Sequence, residues 1–213
     1  MTTNLPQDIS NPTLLRLPSY LDVIHRAKNA GKTRLSSAEI GKELGYGSVQ
    51  VRKDLASVSN AGKPRTGFDI YKLEDDIRDT LGFNEEKNAV LLGVGHLGRA
   101  LMNYEGFREN GLHIFAGFDV KPTHDSTLKD KVLTLNELEA FVAENVIDLA
   151  IICTPAYEAD RAAETIINAG IKAIWNFAPT TLHVPDEIVV QNENIAESLG
   201  VLWYNMINKK HDE

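Results

Sequence analysis

Three glycines carry the most specific chemical signal in this chain. Residues 89–100 read Ala-Val-Leu-Leu-Gly-Val-Gly-His-Leu-Gly-Arg-Ala, an apolar run that enters G-x-G-x-x-G and then a helical pattern. Asp119 follows 21 residues after Gly98, at the end of the next apolar run. The dinucleotide fingerprint requires that context as well as the glycines. Gly93 permits a tight turn, Gly95 lets the backbone approach a pyrophosphate, and Gly98 lets helix and strand pack closely. Val94, His96 and Leu97 complete a loop whose helix start offers N–H groups and a positive dipole end to phosphate. Asp119 can accept from both hydroxyls of an adenosine ribose and repels a 2′-phosphate. This favours NAD and NADH, although Lys121, beyond Val120, weakens the exclusion of NADP. Ligands of parallel sheets lie outside the C-terminal strand ends. Two further strand ends, Thr154-Pro155 and Asn176-Phe177, therefore join the candidate site. Asn176 suits a carboxamide and Phe177 a nicotinamide ring; ordinary loop chemistry is the alternative for each.

A second cluster is basic. From Arg16 to Arg65 there are ten Lys/Arg against four acids, whereas from Phe83 onward there are 10 basic and 20 acidic residues. The overall charge of −8 hides this asymmetry. A basic module on an acidic body is the footprint of phosphate contact. Ser48, Gln50, Arg52 and Lys53 are polar positions of one helical segment, and Gln and Arg match adenine and guanine edges in the major groove. Lys63 and Arg65 lie within a glycine-rich tip and are placed for DNA backbone or minor groove. A helical domain that binds a protein partner is the competing reading.

The surrounding elements must hold these groups. Leu14, Leu17, Leu21 and Ile24 recur at helical spacing, with Pro18 expected in the first turn and Gly31 closing the helix. Ser36 and Glu39 form a capping-box pattern that starts a second helix. Ser48 is expected to cap a third, with Val51, Leu55 and Val58 on its buried face. Helix, glycine-bearing turn, helix is the helix-turn-helix plan. The tip at 60–67 and a strand at 68–71 make a wing, a helix near 73–81 ends at Gly82, and 84–87 form a linker. Beyond it, apolar runs at 89–92, 112–119, 148–153 and 171–177 read as buried parallel strands. Helical patterns at about 97–110, 136–145 and 156–169 separate them, which is βαβ order and an α/β doubly wound sheet. A short strand at 188–191 precedes an amphipathic helix carrying Ile195, Leu199, Leu202 and Met206.

Other classes are disfavoured. No apolar run approaches the roughly 20 residues of a membrane-spanning helix, and MTTNLPQDIS has no signal-peptide character. The single cysteine, Cys153, excludes an intrachain disulfide framework and a cysteine-rich zinc site, so a reduced, cytoplasmic protein without metal is expected. Nothing in the sequence supplies Cys153 with a base. His113 and His124 read as plain core or surface residues, and no Tyr-x-x-x-Lys pattern appears. An NAD-dependent oxidoreductase with a small extra domain is the rival reading, against which little more than about 125 residues remain for its cofactor domain.

Taken in order, Val51-Arg52-Lys53-Asp54-Leu55, the Gly-Lys-x-Arg-x-Gly wing, residues 93–104, Phe118-Asp119-Val120, Gly170-Ile171-Lys172 and Asn176-Phe177-Ala178-Pro179 resemble the Rex family of bacterial redox-sensing repressors. The resemblance runs from about Leu14 to Met206. It implies a winged-helix DNA-binding domain over 1–82, a Rossmann domain over 83–194, and a C-terminal helix and tail over 195–213 exchanged between subunits of a homodimer. Members bind palindromic operator DNA when NAD+ prevails and release it when NADH rises. Arg16 and Tyr104 match positions that couple the domains. Their acidic partner is Asn194 here, and the next, aromatic, position is Ile195. That loss removes a charge-assisted bond and opens a further alternative, a member with altered ligand response. Ala56–Ala61 also departs from the family's serine-tyrosine-phenylalanine-glycine run, and Lys121 replaces a usual acid.

Overall fold

The computed structural model describes residues 9–121 and 131–209, so His124 and the extreme termini lie outside the described residues. The chain divides into two compact units, Met1–Glu85 and Glu86–Glu213.

In the first unit, α1 (Asn11–Asn29) is capped by Ser10 and carries Pro12 in its first turn. Pro18 instead lies inside the helix, where it removes the donor for the Leu14 carbonyl. The expected first-turn role belongs to Pro12. Leu17, Tyr20, Leu21, Val23, Ile24 and Ala27 are buried. The capping box forms: Ser36 accepts from the Glu39 N–H and Glu39 from the Ser36 N–H, starting α2 (Ser37–Leu44). Gly45, at φ 73, ends α2. In α3 (Ser48–Val58), Gly47 rather than Ser48 is the N-cap, because the Gly47 carbonyl takes the first helical bond from Val51. Ser48 is the first helical residue.

The wing is built from three short strands, β1 (Arg34–Leu35), β2 (Gly62–Lys63) and β3 (Gly67–Asp69), antiparallel in the order β1-β3-β2. The last strand stops before residue 70 because the Asp69 side chain accepts from the Tyr71 and Lys72 N–H groups and caps α4 (Ile70–Leu81). Residues 70 and 71, expected in the strand, are therefore helical.

The second unit is a six-stranded sheet of β4 (Lys87–Leu92), β5 (Leu112–Asp119), β6 (Lys131–Thr134), β7 (Leu149–Ile152), β8 (Ala173–Asn176) and β9 (Val189–Asn192). All are parallel, in the order β6-β5-β4-β7-β8-β9. This is the doubly wound arrangement, whose order reverses beside β4. Between the strands lie α5 (His96–Met102), α6 (Gly106–Glu109), α7 (Leu138–Glu144) and α8 (Ala156–Asn168). The run 89–92 is apolar throughout because both faces are covered. Val90 and Leu92 pack with α7 and α8 residues such as Leu138 and Ile166, whereas Ala89 and Leu91 pack with Met102 of α5. β6 has no counterpart in the sequence reading; four residues on a sheet edge leave too short a pattern. The helix expected over 97–110 is broken at Asn103, the C-cap of α5.

Chain order closes with α9 (Ile195–Lys209). Its Leu199, Val201, Leu202, Trp203, Tyr204, Met206 and Ile207 are all exposed. The exposed apolar surface is thus broader than the expected stripe, and Glu197, Ser198, Asn205 and Asn208 lie on the opposite side.

One buried charge anchors α3. Asp54 is 4% exposed and shares the buried stripe with Val51, Leu55 and Val58. Arg16 grips it with two bonds, Nε to Oδ2 at 2.8 Å and a terminal nitrogen to Oδ1 at 2.9 Å. The Tyr20 hydroxyl donates at 2.6 Å and that of Thr13 at 3.2 Å, so three α1 side chains hold one α3 carboxylate. Burial alone pushes the Asp54 carboxyl up, but the bonds from Arg16, Tyr20 and Thr13 outweigh it and hold it below its ordinary value. Removing one partner of a buried pair strands the other and typically costs about 3–5 kcal/mol. Asp54→Ala is expected to lower the unfolding free energy of the helical unit by that order in urea titrations followed by circular dichroism. Because the folded-state pKa is depressed, the contribution is complete above the unfolded value of about 3.9 and is lost as pH falls through the folded one. Asp54→Asn should remove that part of the acid sensitivity.

Candidate nucleotide site and nucleic-acid interface

The glycine loop follows β4 at the point where strand order reverses. Gly93 has φ 96, and a Cβ there would lie 2.8 Å from the Cys153 carbonyl. Its N–H donates to the Phe118 carbonyl at 2.8 Å, and that of Cys153 to the Leu92 carbonyl at 2.8 Å, so β5, β4 and β7 end together. A Cβ on Gly98 would lie 2.1 Å from the Gly93 carbonyl, which makes glycine obligatory for the approach of α5. Gly95 differs: a Cβ on it would meet nothing within 4 Å. The space above it is open, as backbone approach to a diphosphate requires. Gly95 and His96 are exposed, Leu97 is half-buried and Val94 is buried.

Asp119 ends β5 and braces the loop. Its Oδ2 accepts from the Val94 N–H at 2.9 Å and its Oδ1 from the Lys121 N–H at 2.9 Å. Each carboxylate oxygen keeps a further acceptor position, so bracing leaves capacity for a ribose hydroxyl. Val120 and Lys121 are exposed beside it. Across the loop, the Thr154 hydroxyl oxygen is buried without a hydrogen-bond partner among the described residues. Such a group costs about 1–3 kcal/mol and fits a site completed by a polar ligand or water. The open space over Gly95, the braced loop and this orphaned hydroxyl together suit a dinucleotide. Pro155 stands exposed as the N-cap of α8.

Asn176 needs correction. It is fully buried, and its amide donates to the Thr180 carbonyl and the Asn192 side chain, both at 2.8 Å. Its Oδ1 accepts from the Ala178 N–H at 3.0 Å. Both donor hydrogens are spent, so Asn176 ties the strand-end loop to β9 and has none to offer a carboxamide. Phe177 is half-buried and packs on Trp175, with centroids 4.9 Å apart. Trp175 also meets Phe107, which meets Tyr104. Burial pushes the Cys153 thiol up to about 12, away from nucleophilic use.

On the first unit, Ser48, Gln50, Arg52 and Lys53 are exposed on α3, and Lys63 and Arg65 on the wing. Gln50 reaches back to Asp54 only at 3.4 Å. Lys32, Arg26 and Lys72 are spent on Glu39, Glu43 and Asp76; no ion pair involves Arg52, Lys53, Lys63 or Arg65 among the described residues. An open groove of about 910 Å³ runs between the end of α3 and the wing, with Arg34, Arg52, Lys63 and Arg65 along it. Its acid, Glu39, is already engaged: bonds from the Ser36 backbone and Lys32 hold its carboxyl near 2. The sequence reading missed Arg34, which pattern alone left as one cation among ten, and Asp54. The signal for Asp54 was present, as a charge on an otherwise apolar helical stripe.

Of the coupling residues, Arg16 holds Asp54 within its own unit. Tyr104 is exposed on Phe107, and the Asn194 side chain accepts from the Ala196 N–H at 3.0 Å at the start of α9. Among the described residues no helix is long and apolar enough to cross a membrane, and no His/Cys/Asp/Glu group of three or more could hold a metal.

Comparison with known proteins extends over both units. The family model "Putative DNA-binding protein N-terminus" matches residues 8–56, and that of the CoA binding domain matches 84–180. The redox-sensing transcriptional repressor Rex of Treponema denticola is 39% identical over 205 residues, covering 93% of this chain and 96% of that protein. That of Clostridioides difficile is 37% identical over 202 residues, covering 94% and 96%. Among solved structures, RSP in complex with β-NAD+ and operator DNA superposes with a TM-score of 0.86 at 30% identity, covering 96% of this chain and 95% of that one. RSP with β-NADH gives a TM-score of 0.86 at 30% identity, with 96% and 97% covered. With exposed basic α3 and wing on one unit and a dinucleotide loop on the other, matched in order along nearly the whole chain, this protein belongs to the Rex family of redox-sensing transcriptional repressors.

Proposed function

We propose that this protein represses transcription by holding operator DNA and releases it when NADH rises relative to NAD+. The observation that carries this reading is that a relative solved with both operator DNA and NAD+ follows this chain through both units. Residues 1–82 read DNA, 83–194 hold the dinucleotide, and 195–213 serve assembly. On α3, Arg52 and Gln50 read base edges in the major groove, while Ser48 and Lys53 meet phosphate. Lys63 and Arg65 hold the backbone or minor groove. The loop Gly93–Gly98 receives the pyrophosphate, and Asp119 takes the ribose through acceptor positions left by Val94 and Lys121. Val120, Thr154, Pro155 and Phe177 line the rest.

The exposed apolar surface of α9 supports a homodimer in which this helix is exchanged between subunits. An exposed apolar helix surface this broad calls for cover. A two-fold dimer presents two recognition helices and therefore selects a palindromic operator with half-sites set by the duplex repeat. Rotation of the two cofactor domains then alters that spacing. Arg16 and Tyr104 carry the coupling, with Asn194 where relatives' resemblance calls for an acid. Neutral Asn194 forms a weaker bond than a carboxylate, so the switch draws less on this contact.

Three outcomes test the reading. A ligand shifts an equilibrium only by its differential affinity for the two states. NADH should therefore bind free protein more tightly than the protein–operator complex, measured by nicotinamide fluorescence with and without a palindromic duplex; equal affinities would refute the switch. Arg52→Ala should weaken operator binding by about tenfold or more and relax base preference, whereas Lys63→Ala should reduce the salt slope by about one. Leu202→Glu on α9 should convert dimer to monomer in sedimentation equilibrium; an unchanged mass would show that this helix is not the interface.

A further inference from the structure

Arg65 is the sole non-glycine residue with positive φ among the described residues, at φ 64. A left-handed backbone is uncommon outside glycine, asparagine and aspartate. It persists where its surroundings over-determine it, and such outliers gather at functional positions. The restraints on Arg65 are local. The Thr66 N–H donates to the Lys63 carbonyl at 3.3 Å, and its hydroxyl to the same oxygen at 3.4 Å, closing the tip. Gly67 follows at φ 74, where a Cβ would stand 2.4 Å from the Leu35 carbonyl, so the chain leaves the tip flush against β1. Between them, the Thr66 carbonyl accepts from Arg34 Nε at 3.1 Å. Arg34 lies on β1, in register with Asp69 of β3, and is only half-exposed.

Glycine would adopt φ 64 without steric cost, yet the position holds a cation. Arg34 clamps the Thr66–Gly67 peptide, one residue beyond Arg65, and both arginines line one groove. We propose that Arg34 is a positioning residue for the wing, which, by holding the Thr66 carbonyl, keeps Arg65 in the left-handed conformation in which it engages DNA. This rests on the wing reading above. It differs from the simpler role, an Arg34 that meets a phosphate on its own account.

A double-mutant cycle on the full-length protein separates the two. Operator affinity is measured by fluorescence anisotropy at one salt concentration for Arg34→Ala, Arg65→Ala and the pair. Each single change is expected to weaken binding about tenfold, and the pair no more than about threefold beyond the worse single. A loss in the pair near the product of the two, about a hundredfold, means that Arg34 acts independently and overturns the proposal. So does undiminished affinity in Arg34→Ala when Arg65→Ala is weakened. Arg34→Lys keeps the charge but not the planar donor geometry and should bind as poorly as Arg34→Ala; rescue by lysine would show that charge alone suffices. NADH binding and the urea midpoint serve as controls and should match the parent, because a general folding defect would move both and refute a wing-specific role. Full affinity in Arg65→Ala would instead refute DNA contact by the wing arginine itself.

Discussion

A carboxylate buried on the inner face of α3 decides how the first unit is put together. Asp54 cannot be solvated where it sits, so it must be bonded, and α1 supplies Arg16, Tyr20 and Thr13 to do so. The consequence is geometric. α3 is fixed in rotation about its axis, with Asp54 inward, and the residues at the other side of the turn, Arg52 and Lys53 among them, are left outward and, among the described residues, free of ion pairs. A purely apolar stripe would tolerate a small rotation; a multiply bonded carboxylate does not. The same contact occupies the guanidinium of Arg16, one of the two residues that the family resemblance assigns to communication between units. Holding α3 and the communication that the resemblance implies would thus draw on one side chain.

The nucleotide unit rests on a different constraint, close backbone approach. Gly98 touches the Gly93 carbonyl and Gly93 touches the end of β7, so side chains are excluded from both by contact. Gly95 is spared that crowding and faces open space. Three glycines that look alike in the motif therefore have two physical reasons for being there, packing at two positions and room for a ligand at the third. Asp119 adds an electrostatic brace by accepting from the loop's own Val94 N–H. This couples the residue proposed to take the ribose to the conformation of the loop proposed to take the phosphates.

Much of this was legible in the residues. Strand–glycine loop–helix with an acid 21 residues on, the Ser36–Glu39 capping box and the basic asymmetry of the first 65 residues are local patterns, and each reports its own neighbourhood. Signals failed where partners come from far along the chain. Asn176 reads as a strand-end amide facing ligand, but Asn192 and Thr180 consume it. Pro18 reads as a first-turn residue because Ser10 and Pro12 lie in a stretch without apolar periodicity. β6 is invisible because a four-residue edge strand takes its identity from pairing with β5.

The glycine motif, with its acid and its parallel-strand context, was determined by the sequence itself. Those features depend on backbone freedom and periodicity, which are properties of adjacent residues. Tertiary structure decided which polar groups remain available. Burial turned Asp54 into an anchor and Asn176 into a loop tie. Apposition of β1 and the wing tip placed Arg34 on the Thr66 carbonyl beside a left-handed Arg65. Availability depends on what else is within three ångströms, and distant segments supply that only when the chain has folded.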